Sequence, residues 1–181
     1  MKIKKPFQSV CASITLLATL FVSPALAQTN PKLSNPEVAS VAVVANQIDI
    51  SYAEIAKKKS KDAEVLKFAQ TMINDHNAVI AQAAALAKKL GVTPKDNAVS
   101  QKLLADAEKT KKALRSKSGN AFNKAYVDNE VAYHKAVIGA VEGLLIPETD
   151  NAELKELLQN VVPALKAHLG HAEMLQKSMN K

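Results

Sequence analysis

Long stretches with apolar residues at three- and four-residue steps, clusters of breakers between them, and no run of alternating apolar and polar residues predict an all-α protein. Two of the breaks are short and one is long, so the helices are expected to pair as hairpins joined by a crossover. The chain has 181 residues, which suits one domain around one core.

Met1 to Ala27 has the make-up of a secretory signal. Lys2, Lys4 and Lys5 form a positive start, Val10 to Val22 an apolar run, and Ala25-Leu26-Ala27 a small-residue cleavage site. The mature chain is then expected to start at Gln28 and to reside in the periplasm. The apolar run is shorter than a bilayer-spanning helix needs, and no later stretch of that length is free of charges, so no transmembrane segment is expected in the mature chain. Cys11, the one cysteine, lies inside this segment, and Gln8-Ser9-Val10 before it is unlike a lipoprotein processing site. The mature chain therefore has no disulfide and no thiolate ligand.

Residues 28–34 read as a polar linker and residues 35–181 as the helical domain. Asn35-Pro36-Glu37 opens the first helix, about Pro36 to Lys59, with a capping side chain, a proline in the first turn and an early acid. Its row of Val38, Ala42, Ala45, Tyr52 and Ala56 is interrupted by Asp49. The second helix, Lys61 to Leu90, is expected to be capped by Ser60 and to end at Gly91 after a lysine-rich turn. Its apolar row is Val65, Ala69, Met72, Val79, Ala83, Leu86 and Leu90. His76 falls in the middle of that row and Asp75 on its flank.

Val92 to Ser100 reads as a loop, followed by a short, charged third helix at about Gln101 to Ser116 and a break at Ser118-Gly119-Asn120. The fourth helix, about Ala121 to Leu145, carries Phe122, Tyr126, Glu130, Tyr133, Val137, Val141 and Leu144, with His134 one turn past Glu130. After a tight turn at Pro147 to Asp150, Asn151 caps the fifth helix, which runs to about Ser178 on Leu154, Leu158, Val161, Leu165, His168, Ala172 and Leu175. Pro163 predicts a kink or a lost backbone bond near Gln159 to Val162. Two hairpins and one long crossover specify a ferritin-like four-helix bundle, with a short extra helix in the crossover and helices two and four parallel.

Composition narrows the function. Without the three signal lysines the chain has 21 basic and 17 acidic residues, a net charge of +4 spread among both signs. Arg115 is the one arginine and tryptophan is absent, so the clustered arginines and stacking aromatics of a nucleic-acid binder are missing. There is no Gly-x-Ser-x-Gly elbow and no glycine-rich phosphate loop.

The polar residues inside the apolar rows hold the functional signal. At a rise of about 1.5 Å per residue, His76 and His134 are equally far from the starts of two parallel helices. Folding each hairpin about its turn brings Asp49, His76, Glu130, His134 and His168 into one slab, with Asp75 and His171 at its edges. Imidazole and carboxylate donors suit Fe, Mn, Zn or Cu. The Glu-x-x-His pairs of di-iron bundles are absent, since Glu130 and His134 stand four apart. Met72 with His76, and His171 with Met174, offer a softer copper-type pairing. Against all of these stands a metal-free network in which Tyr52, Tyr126, Asp49 and Glu130 satisfy the histidines.

Asp49-Ile50 with Ile55-Ala56, Val65-Leu66-Lys67-Phe68-Ala69, Met72-Ile73-Asn74-Asp75-His76, Gly119 to Phe122, Tyr126, His134, and Pro163 to His168-Leu169 with Ala172 resemble the DUF4142 family of exported bacterial proteins. The resemblance spans about Asn35 to Leu175. It implies a periplasmic or envelope-associated ferritin-like bundle without an established activity, and carries over Asp75, His76, His134 and His168 as recurring polar positions. The chain departs from the family in having Asp49, a shorter carboxylate that can still reach a ligand through water, where glutamate is usual, and Asn123 where aspartate is usual, which removes an acid from any carboxylate-rich site. The leading expectation is a protein that acts by binding, a metal ion at the core cluster or an envelope protein partner or second copy, in envelope stress. Two readings stand beside it: a ferroxidase-like redox enzyme with Glu130, His134, His76 and His168 as ligands, and a purely structural protein.

Overall fold

Start and stop signals in the sequence divide the described residues, 32–180 of a computed structural model, into helices, with no strand among them. The expected signal segment lies outside the described residues. The helices are α1 (Asn35–Lys59), α2 (Ala63–Leu90), α3 (Ala98–Arg115), α4 (Gly119–Ala140) and α5 (Ala152–Met179). A π-helical turn, Val141–Leu145, and a single α-turn, Ile146–Glu148, continue α4.

Two expected caps and one expected helix start move by a residue or more. Ser34, not Asn35, is the cap residue of α1, and Glu37 reaches back to accept from the Ser34 N–H at 2.9 Å. Asn35 is left free to accept from the N–H groups of Asp150 and Asn151, at 3.1 and 3.3 Å, which ties α1 to the start of α5. Asp62, not Ser60, caps α2 by accepting from the Glu64 and Val65 N–H groups at 3.0 Å. Ser60 instead donates to Asn123 Oδ1 at 2.8 Å, across the bundle end. The α3 helix starts earlier than Gln101, because Asn97 accepts from Val99 and Ser100 inside the expected loop.

The ends of two helices follow local chemistry. Gly91 adopts a left-handed φ of 63° and closes α2. The expected α-helix to Leu145 widens at Val141, where the Ile146 N–H reaches back five residues to Val141 O. Pro147 follows, and its ring and missing N–H disfavour a regular α-turn there. The last helix, α5, continues through Pro163 as one helix, the proline having no N–H to give to the Gln159 carbonyl.

Contacts between helix ends fix the directions. Near the start of α1, Lys95 N–H donates to Pro36 O at 2.9 Å, and Lys89 at the end of α2 pairs with Glu153 at the start of α5. At the opposite end Lys59 donates to Arg115 O and Ser60 to Asn123. Accordingly α1, α3 and α5 run one way, and α2 and α4 the other. α1 packs on α2, α3 and α4, and α5 packs on α4 and α2.

Two apolar clusters fill the bundle. One gathers Ile48, Tyr52, Phe68, Met72, Phe122, Tyr126 and their neighbours at the end where α4 begins. The other gathers Val38, Val41, Ile138, Val141, Leu145, Leu154, Leu158 and Leu165 at the opposite end. Between them lies a buried polar slab.

Candidate metal centre

Asp49 on α1, His76 on α2, Glu130 and His134 on α4, and His168 on α5 are all buried, and they occupy the level that separates the two apolar clusters. Glu130 and His134 meet because residues four apart share a helix face. The three imidazoles surround one point, with ring centroids 5.9 Å apart for His76 and His134, 5.3 Å for His76 and His168, and 5.5 Å for His134 and His168.

Each ring has one nitrogen held from outside. His76 Nδ1 is 2.7 Å from Asn46 Oδ1; the Asn46 amide donates to Ala42 O at 2.8 Å, which turns its oxygen toward the ring, so Nδ1 carries the proton. His134 Nδ1–H donates to Glu130 O at 2.9 Å. His168 Nε2–H donates to Asp75 Oδ2 at 2.9 Å. In a neutral ring the other nitrogen is then a bare acceptor. Those three atoms, His76 Nε2, His134 Nε2 and His168 Nδ1, are buried without a hydrogen-bond partner.

The carboxylates repeat the pattern. Both oxygens of Asp49 and both of Glu130 are buried with no donor. Asp49 Oδ2 stands 3.3 Å from His76 Nε2 and 3.4 Å from His134 Nε2, acceptor facing acceptor. Donor atoms of His76, His134 and His168 lie within 4.8 Å of one another, as do those of Asp49, Glu130 and His134, so His134 belongs to both groups. Both sets can hold a metal ion, which would supply the positive charge that these lone pairs lack.

Burial shapes the protonation of the slab. It raises the Glu130 carboxyl well above the ordinary carboxylate range, and the Asp49 carboxylate adds in the same direction. It lowers His134 against the pull of Asp49, and lowers His168 against its hydrogen bond to Asp75.

The remaining predicted residues lie around or outside this slab. Asp75 is half exposed and touches the site through His168. His171 sets its ring edge-on to Phe68 at 5.0 Å and is in neither donor group. Met174 is 66% exposed, and Met72 lies in the apolar cluster. The tyrosines named for a metal-free network do not satisfy the histidines: Tyr52 has Thr110 as its hydrogen-bond partner, and the buried Tyr126 hydroxyl has none; Tyr133 donates to Ala45 O at 2.9 Å. Asn123, two turns before Glu130, bonds Ser60 instead of joining the slab. Asn46 escaped sequence reasoning, although its position three residues before Asp49 places it on the same face of α1.

A cavity of about 930 Å³ borders the slab. It is lined by Asp49, Asp75 and all three imidazoles at one end, and by apolar side chains along most of its length.

A family model described as a domain of unknown function, DUF4142, matches residues 21–175. No curated protein and no solved structure matches the chain.

Proposed function

The chain belongs to the DUF4142 family, and we propose that its domain acts by binding a divalent first-row transition-metal ion at His76, His134 and His168, with Asp49 as a further ligand and Glu130 behind them. One observation carries this reading. Seven buried ligand atoms, three nitrogens and four oxygens, converge without a protein partner, while the outward nitrogen of every ring is tied to an acceptor. A structural network satisfies its own members. This cluster satisfies only its outer face, as metal-ligating histidines do.

The fold reading goes with it. Parallel α2 and α4, with α3 in the crossover, support a ferritin-like four-helix arrangement, in which ligands project inward from facing helices. The signal-like pattern ending at Ala27 supports a periplasmic location.

The test is thermal unfolding of chelator-stripped protein titrated with Fe(II), Mn(II), Zn(II) and Cu(II). An ion at about a hundred times its dissociation constant adds roughly 2.7 kcal/mol. A saturable rise with one of them, absent in His76→Ala and His168→Ala, is the expected result. No rise with any ion, or full rises in both variants, sinks the proposal.

The second donor group, Asp49, Glu130 and His134, favours one other reading, a two-ion centre with ferroxidase-like chemistry. Two bound ions per chain and oxygen-dependent turnover of Fe(II) distinguish it from simple binding.

A further inference from the structure

The second half of α2 has the apolar row of a core helix, yet none of its residues beyond His76 is buried. Val79, Ala83 and Leu86 line the 930 Å³ cavity, together with Leu158 and Val161 of α5 and Val137 of α4. Protein interiors are close-packed, and voids larger than a water molecule are few. This one has the size and the mostly apolar lining of a small-molecule site.

The charges on its walls narrow the occupant. Four charged side chains line it, Asp49, Asp75, Lys88 and Asp106. Asp49 belongs to the slab, Asp106 is paired with Lys102 and Lys109, and Asp75 and Lys88 are exposed to water. From Asp75 to Lys88, an advance of about 20 Å, α2 adds no other charge to the lining, and the lining residues of α4 and α5 include no acid and no lysine. A charged ligand lying along this stretch would give up its hydration without meeting an opposite charge. An uncharged apolar chain loses nothing there and gains by leaving water.

The end away from the slab is lined by Asn35 and Asn151. Asn35 Oδ1 accepts from the N–H groups of Asp150 and Asn151, and Asn151 Oδ1 accepts from the Leu154 N–H. With their oxygens engaged, both side chains have amide N–H groups left to donate, and these suit an oxygen acceptor.

We propose that the cavity binds an uncharged long-chain alcohol, its chain lying along Val79, Ala83 and Leu86 of α2 and its hydroxyl at the Asn35 and Asn151 end. An apolar body with one uncharged oxygen head matches the charge-free length and the amide donors together. No ion takes part, so the inference goes beyond the metal reading and does not depend on it.

The test is calorimetric titration of the protein with octanol, decanol and dodecanol, and with decanoate and decylammonium as charged chains of matched length. One-to-one binding of the alcohols is expected, strengthening roughly fourfold per added methylene until the cavity is full. Decanoate and decylammonium should both bind at least tenfold more weakly than decanol. Ala83→Phe puts a ring into the cavity and should lose decanol binding. Ala81→Phe, on the same helix but exposed and outside the lining, should keep it, with both variants helical by circular dichroism. Three results overturn the inference: no saturable binding of any alcohol, charged chains that bind as tightly as decanol, or equal effects of the two substitutions. A protein that binds no alcohol and sediments as a dimer would give this face of α2 to a second copy. Each of these leaves the metal reading standing, and a missing metal-induced rise leaves this inference standing.

Discussion

At the residue scale, the slab turns on which atom of each side chain holds a proton. His134 and His168 are lowered by burial, so the unfolded chain takes up protons at these rings at higher pH than the folded chain does. The stability gained by keeping them neutral is complete above the ordinary histidine value of about 6.5 and is lost as the pH falls toward the depressed folded values. Glu130 works in the opposite sense: its raised folded pKa contributes stability below the ordinary carboxylate value, and that contribution is lost as the pH rises. A bound ion competes with protons at all three groups. Its stabilising effect should therefore grow with pH, so unfolding scans should show a larger metal-induced shift at about pH 7.5 than at about pH 5.5. An unchanged shift would exclude direct ligation by His134 and His168. Asn46 makes a separate prediction. Asn46→Ala removes the acceptor that orients His76, and should weaken metal binding about 10- to 100-fold in a competition titration, with the fold intact by circular dichroism.

At the element scale, helix existence was legible and helix starts were less so. The apolar rows of α1, α2, α4 and α5 stand out because a 3.6-residue period persists over many turns. Their caps do not, because Ser60 and Asp62, or Ser34 and Asn35, are equally good capping residues within two positions of each other. Tertiary contacts decide between them. Ser60 is drawn to Asn123, which leaves Asp62 to accept from α2. Asp62→Ala should accordingly cost about 1 kcal/mol, read as a lower denaturant midpoint at unchanged slope. A neutral result would return the capping role to Ser60. The apolar row of α2 could not be read correctly beyond His76, since a pattern of apolar residues announces a face that avoids water and does not say whether protein or a ligand covers it.

At the scale of the whole molecule, the level of the polar slab was legible because helical rise and hairpin folding are fixed quantities. Asp49, His76, Glu130, His134 and His168 were placed together by counting residues from the turns. The same counting put His171 at the edge of the slab, but its ring rests against Phe68. The outer partners Asn46 and the Glu130 carbonyl needed side-chain directions that counting does not supply.

The slab also sets stability against function. In a metal-free network, Asp49 would hold the histidines together, and altering it would weaken the fold. In a metal centre it is a buried carboxylate without a donor, aimed at two lone pairs, and it destabilises the protein until an ion arrives. Asp49→Asn separates the two. The amide has the same shape, removes the buried charge, and turns an N–H donor toward His76 Nε2 and His134 Nε2. The chelator-stripped variant should be more stable than the parent by about 1 to 3 kcal/mol in denaturant titrations, and should gain far less from added metal. A variant less stable than the chelator-stripped parent would show that Asp49 holds the helices in place by itself, and the slab would then be part of the fold's own bonding.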